Sequence, residues 1–219
     1  MRIVGDLRSL QKSSRSRLRR IRQVALDATV PGASPVLRDL SVTYCVIELY
    51  NLWYSFSRFL YLSAALGARD GAGVRVTVRR VAPPHTVEDA LTHAIRLRPR
   101  YQRANPPWNW TQEPRWADTS VLLNCLSTIG ASNRQQVGIG VSAPSTVFGE
   151  LTPFRHFFAH RGRETLRNLI PHVRGHSIST SLRPTDALLT AAIVIGIPRP
   201  QPLLLDWVDE VINAVDLSI

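Results

Sequence analysis

A chain of 219 residues, 44% of them hydrophobic, is long enough to bury a core and too apolar for a disordered tail. Its formal net charge of +11 calls for a partner bearing phosphates or an acidic protein surface. Lys12 is the only lysine, so the charge sits on planar guanidinium forks suited to phosphate oxygens. Cys45 and Cys125 lie in apolar segments and form no Cys-x-x-Cys pair, which excludes a zinc ribbon or finger and predicts buried free thiols.

The N-terminal segment "SLQKSSRSRLRRIRQ" has no apolar signal core. Leu7, Leu10, Leu18, Ile21 and Ala25 instead recur on one helical stripe, with Asp6 as N-cap. Arg15, Arg17, Arg19, Arg20 and Arg22 crowd the other face. That face is either a solvated helix surface or a holder of nucleic-acid phosphates. A second helix opens at Ser34-Pro35 and closes near Gly67. It is mostly apolar, but Tyr44, Glu48, Asn51, Ser55 and Arg58 follow spacings of four and three and make one polar line. The line faces either solvent or a polar cleft.

Val74, Val76 and Val78 alternate with Arg75, Thr77 and Arg79, a strand-like pattern within a turn segment at 68–84. A third helix starts at Thr86, with Asp89 completing a capping box, and reaches about Arg98. In "RPRYQRANPPWNWTQEPRW" prolines break regular structure, and arginines interleave with Tyr101, Trp108, Trp110 and Trp116. Such a loop either stacks single-stranded bases or folds its tryptophans back onto the domain. A fourth helix is expected at about 118–130, followed by the loop "GASNRQQVGIGVSAPS". The fifth helix carries "LTPFRHFFAHRGRE" at 151–164, the sixth covers about 163–173, and "PLLLDWVDEVINAV" forms an amphipathic C-terminal helix. The apolar run "ALLTAAIVIGI" at 187–197 is too short to span a bilayer. These elements predict a soluble, cytoplasmic, all-α protein of about six to seven helices with irregular loops, allowing a short β insertion near 72–81. Residues 1–219 read as one helical domain, on which the basic helix of residues 1–30 packs and into which residues 99–116 are inserted as a Pro/Trp-rich loop.

In the fifth helix Val147, Leu151, Phe154 and Phe158 form the core-facing stripe. Pro153 kinks or restarts the helix, with Thr152 as a cap. His156 and His160 lie one turn apart, and Arg155 is about 100° round the helix from His156. Three uses compete. A zinc-binding His-x-x-x-His pair would need a glutamate after the first histidine, where Phe157 stands, and no third ligand is evident. A helix end bearing cations suits the negative pole of the helix dipole. The third use is metal-independent RNA cleavage, in which the ribose 2′-OH attacks the adjacent phosphate. It needs a group that moves protons near neutrality, as histidine does, and a fixed positive charge for the developing phosphorane, as arginine supplies.

"RHFFAH" resembles the Arg-(polar)-x-x-x-His signature of HEPN domains, helical domains found in bacterial toxins, anti-phage proteins and CRISPR-type ribonucleases. The resemblance puts Arg155 and His160 at the two fixed positions and His156 at the polar position more often held by Asn. It covers six residues, and beyond them the likeness is one of architecture. It implies a HEPN-like helical bundle and a metal-independent endoribonuclease acting on single-stranded or loop RNA as a toxin or anti-phage effector. Two copies would pack about a two-fold axis so that both motifs share one cleft, with no cofactor or metal and with an antitoxin or other inhibitory partner. Arg161 and Arg163 would hold phosphates, and Glu48 and Asn51 would line the cleft, although the motif does not extend to those four. Some relatives of this type are non-catalytic RNA- or protein-binding modules, which is the alternative. A DNA regulator acting through the basic first helix lacks helix-turn-helix spacing.

Overall fold

The computed structural model describes residue 3 and residues 5–79, 84–142, 147–194 and 197–219. The architecture is all-α, as the periodicity predicts. The chain divides into two compact units, one of Met1–Arg15, Trp53–Ala143 and Asn213–Ile219, the other of Ser16–Leu52 and Pro144–Ile212. Helices α1 (Leu7–Thr29), α2 (Pro35–Ala65) and α9 (Leu203–Leu217) contribute residues to both.

In the first unit, α1 begins where Asp6 Oδ1 accepts the Arg8 N–H at 2.9 Å, the N-cap expected from the sequence. The second half of α2 buries Trp53, Phe56, Leu60 and Tyr61. Trp53 and Phe56 stack with centroids 5.6 Å apart, and the Tyr61 hydroxyl donates to the Ala90 carbonyl of α3 (Val87–Arg96) at 3.0 Å. Thr86 and Asp89 exchange the two hydrogen bonds of a capping box at the start of α3. A 3-10 turn at Pro99–Tyr101 follows, then α4 (Thr119–Thr128), capped by Asp118.

Two expectations change here. The segment read as a loop after α4 contains α5 (Arg134–Ser142); Ala143, Pro144 and Ser145 at its end lie outside the described residues. Gly138 and Gly140 lower helix propensity by about 1 kcal/mol each, but burial of Val137 and Val141, one turn apart, favours the helix. Gly140 also lets α5 come close to the end of α9: a Cβ there would stand 2.4 Å from Ser218 Oγ. Between 69 and 79 the expected strand is reduced to isolated bridges, Arg69 with Arg75 and Val78 with Ala131. The Asp70 carboxylate accepts the N–H groups of Ala72 and Val74, each at 2.9 Å, and so closes a turn around Gly71 and Gly73 where a ladder would need free strands. Arg80 and Val81, also in the expected β insertion, lie outside the described residues.

In the second unit Leu18, Ile21 and Ala25 of α1 and Val42, Val46 and Leu49 of α2 are buried. The surface of α1 is laced to its surroundings, with Arg17 paired to Glu48 and Arg22 to Asp209, each at 2.9 Å. Helix α6 (Val147–His160) runs through Pro153 without restarting. The N–H missing at Pro153 would have served Gly149, an exposed residue whose carbonyl can turn to water. The expected stripe of Val147, Leu151, Phe154 and Phe158 is buried, and Phe154 meets Trp207 edge-on at 5.0 Å. Then come α7 (Arg163–Gly175), the short α8 (Pro184–Leu188) and an antiparallel hairpin of β1 (Ala191–Val194) and β2 (Ile197–Pro202) that leads into α9. Of the apolar run at 187–197, Ala187 and Leu188 end α8, residues 191–194 and Ile197 belong to the hairpin, and Ile195 and Gly196 lie outside the described residues. Among the described residues there are nine α-helices, with α5 and α8 absent from the sequence-based expectation. No helix among them is long and apolar enough to cross a membrane.

Candidate functional site

The C-terminal half of α6 lies against the first half of α2, inside the second unit. Asp39 and Thr43 of α2 meet Arg161, just past the end of α6, and Tyr50 meets Arg155 one and a half turns earlier. The two helices therefore run antiparallel. Because four α6 side chains are buried as its core face, the remaining side chains of the motif are fixed in direction by the helix alone.

Arg155 is half-buried. Its guanidinium carbon stands 5.5 Å from the centroid of the Tyr50 ring, a cation–π contact that holds the long side chain along α2. Its Nε is shielded from solvent and makes no hydrogen bond, so donor capacity is left unused on a charged group. His156 and His160 are both exposed, with ring centroids 6.2 Å apart at an interplanar angle of 74°. The motif thus has two flanks: an imidazole pair open to solvent, and an arginine turned toward α2. Rotation of 500° between residues 155 and 160 separates Arg155 from His160 by about 140° round the axis.

The remaining candidates are dispersed. Glu48 is engaged by Arg17 at 2.9 Å. Asn51 is exposed, next to Tyr50 in the chain. Arg163 is exposed as the first residue of α7 and has no acid partner among the described residues. Arg161 is committed: it pairs with Asp39 at 2.7 Å and donates to Thr43 Oγ1 at 2.7 Å. Its backbone is left-handed, with φ of 48°, and its N–H bonds the Phe157 carbonyl at 2.6 Å. These two features make the αL helix end that a glycine usually supplies.

Several residues around Arg161 were not singled out from the sequence. Asp39 also accepts a hydrogen bond from the Thr185 hydroxyl, and Arg183 is held by Asp186 at 2.8 Å. Burial pushes the Asp39 carboxyl up, but the Thr185 and Arg161 hydrogen bonds and the charges of Arg161 and Arg183 outweigh it and hold the group below the usual carboxylate range. An open cleft of about 440 Å³ lies here, lined by Val36, Leu40, Phe157, Asp39, Arg161 and Arg183 among others. Asp39, Thr43, Val46 and Tyr50 follow spacings of four, three and four, a stripe parallel to the polar line that begins at Tyr44. Its mixture of one acid, one hydroxyl, one aliphatic and one aromatic residue gave it no recognisable signature.

The chemistry available at the end of α6 is proton transfer by two exposed imidazoles and charge stabilisation by one restrained guanidinium. No group of three or more His, Cys, Asp or Glu side chains among the described residues could hold a metal ion. No protein-family model, curated protein or solved structure matches the chain.

Proposed function

We propose that this protein is a metal-independent endoribonuclease of the HEPN type, cytoplasmic, acting as a homodimer in a toxin or anti-phage role under the control of an inhibitory partner. The observation that carries the reading is the exposed His156–His160 pair, 6.2 Å between rings, on the same helix end as an Arg155 restrained by Tyr50. In the reaction the substrate's 2′-OH loses its proton to an imidazole and attacks the phosphorus. The P–O5′ bond breaks, and a second imidazole, protonated, gives its proton to the leaving 5′ oxygen. The products are a 2′,3′-cyclic phosphate and a 5′-hydroxyl. His160 is assigned proton transfer, His156 assists, and Arg155 supplies the charge that stabilises the phosphorane. A second copy of the chain would bring a second set to the same RNA.

A non-catalytic RNA- or protein-binding role is the second reading. It is favoured by the pairing of Arg161 with Asp39, which commits one of the cations that a phosphate site at the end of α6 would use. The test is RNA cleavage in the presence of EDTA, comparing the unaltered protein with the Arg155→Ala/His160→Ala double variant. Cleavage by the former alone, leaving cyclic phosphate ends, supports the ribonuclease. Equal cleavage by both removes the motif from the chemistry, and RNA binding without cleavage by either favours the binding module.

A further inference from the structure

The segment from Arg96 to Trp116 belongs to the first unit and the candidate site on α6 to the second. It contains five arginines, Arg96, Arg98, Arg100, Arg103 and Arg115, and one acid, Glu113. That acid is spent internally: Glu113 receives both arms of the Arg58 guanidinium, at 2.6 and 2.8 Å, and the Trp116 indole N–H at 3.0 Å. The five arginines have no acid partner among the described residues. Arg96 and Arg98 bond neutral carbonyl and amide oxygens, which leaves their charge in place. Arg100 lies over the Tyr101 ring at 4.6 Å, and Arg103 and Arg115 are exposed.

The three tryptophans of the segment have different fates. Trp116 is fully buried. Trp108 is half-buried and donates its indole N–H to Thr92 at 2.6 Å. Trp110 is 81% exposed, far beyond what a large aromatic side chain usually tolerates. The turn that carries it is held by its backbone. Gln112 N–H bonds the Asn109 carbonyl at 3.0 Å, and Glu113 N–H bonds the Trp110 carbonyl at 3.3 Å. Asn109 Oδ1 accepts the Thr111 N–H at 3.1 Å, and Arg98 clamps the carbonyls of Gln112 and Glu113. An indole exposed to water on a hydrogen-bonded turn, in a segment with uncancelled positive charge, has the two components of a single-strand platform: a π-face for a base and cations for its phosphates.

We infer that the Trp110 turn is a binding surface for single-stranded nucleic acid, with an unpaired base stacking on Trp110 and phosphates running along Arg100, Arg103 and Arg115. A duplex is a poor ligand because its bases are already stacked. The surface is independent of the ribonuclease reading, and its test uses a ligand that cannot be cleaved through a 2′-OH.

The probe is a fluorescein-labelled oligodeoxythymidylate of about twelve nucleotides, followed by anisotropy and by tryptophan emission, with a duplex of equal length as control. The unaltered protein should bind the single strand more tightly than the duplex, with quenching of emission from its exposed indole. Trp110→Ala should weaken binding about ten-fold or more, while Trp110→Phe, which keeps a stacking ring, should recover most of it. Arg103→Gln/Arg115→Gln should lower the slope of log affinity against log salt by about 1.4, at about 0.7 per phosphate contact. An unchanged melting temperature in Trp110→Ala checks that the fold is intact. The inference is overturned if the unaltered protein ignores the single strand, if the duplex competes equally, or if Trp110→Ala binds as tightly as the parent. The last result would point to a pocket on a partner protein as the occupant of Trp110.

Discussion

The Arg58–Glu113 pair offers a quantitative check on how the first unit holds its irregular segment. Arg58 side-chain exposure is 23% and that of Glu113 is 11%, so screening by water is limited on both sides. The contact is bidentate and is reinforced by the Trp116 indole. Exposed ion pairs contribute at most about 1 kcal/mol, whereas a hydrogen bond to a charged group contributes about 1.5–3 kcal/mol. A double-mutant cycle of Arg58→Ala and Glu113→Ala should therefore give a coupling energy of about 1.5–3 kcal/mol. Glu113→Ala alone should cost more, about 3 kcal/mol, because it strands a half-buried guanidinium and an indole N–H. At roughly 2–4 °C per kcal/mol for a chain of this size, its melting temperature should fall by about 6–12 °C. Urea titrations of the four proteins, followed by tryptophan fluorescence and circular dichroism, give the cycle. A coupling energy below about 0.5 kcal/mol would refute the claim that this pair pins the segment.

Two further outcomes follow from titrating groups. Burial pushes the thiols of Cys45 and Cys125 up to about 12, so thiol reagents at about pH 8 should meet on the order of one thiolate in ten thousand and react only after denaturant is added; rapid labelling of the folded protein would contradict that burial. Asp39 titrates below its unfolded value, so its contribution is present above about pH 4 and is lost as pH falls through the folded-state value. Stability curves of the parent and Asp39→Asn should therefore differ near neutrality and converge in acid, as chemical denaturation across that range would measure.

Local signals carried most of the helices. The boundaries of α2, the capping box at Thr86 and Asp89 and the four-residue core stripe of α6 lie in short stretches whose own chemistry decides their conformation. What escaped local reading depends on residues far away in the chain. Helix α5 carries two glycines and is favoured by close contact with residues near the end of α9, at Ala214 and Ser218. The polar line on α2 offered a choice between solvent and cleft, and its members part company. Glu48 and Arg58 are consumed by ion pairs with Arg17 and Glu113, while Tyr44 and Asn51 stay exposed. No periodicity within α2 encodes those partners. The same holds for the tryptophans of the irregular segment, two turned inward and one outward. At the candidate site, the adjacency of Arg155, His156 and His160 was legible from helix geometry, but the Tyr50 face under Arg155 and the Asp39–Thr43–Thr185 group around Arg161 required the fold.

The left-handed backbone at Arg161 has a consequence for how this helix end can change over generations. Forcing a non-glycine residue into that region costs roughly 1–2 kcal/mol, and the half-exposed ion pair with Asp39 returns at most about 1 kcal/mol, with the Thr43 hydrogen bond adding a similar amount. The opposing contributions are nearly matched, so glycine at 161 is close to neutral while Asp39 is present and becomes favourable once Asp39 is lost. Positions 39 and 161 are thus epistatic: the effect of glycine at 161 depends on whether Asp39 is present. A lineage that drops the acid first opens a downhill path to glycine, whereas one that drops the arginine first leaves a carboxylate held by the Thr185 hydrogen bond and the charge of Arg183. The order of substitution, more than their number, would determine which descendants keep the cleft.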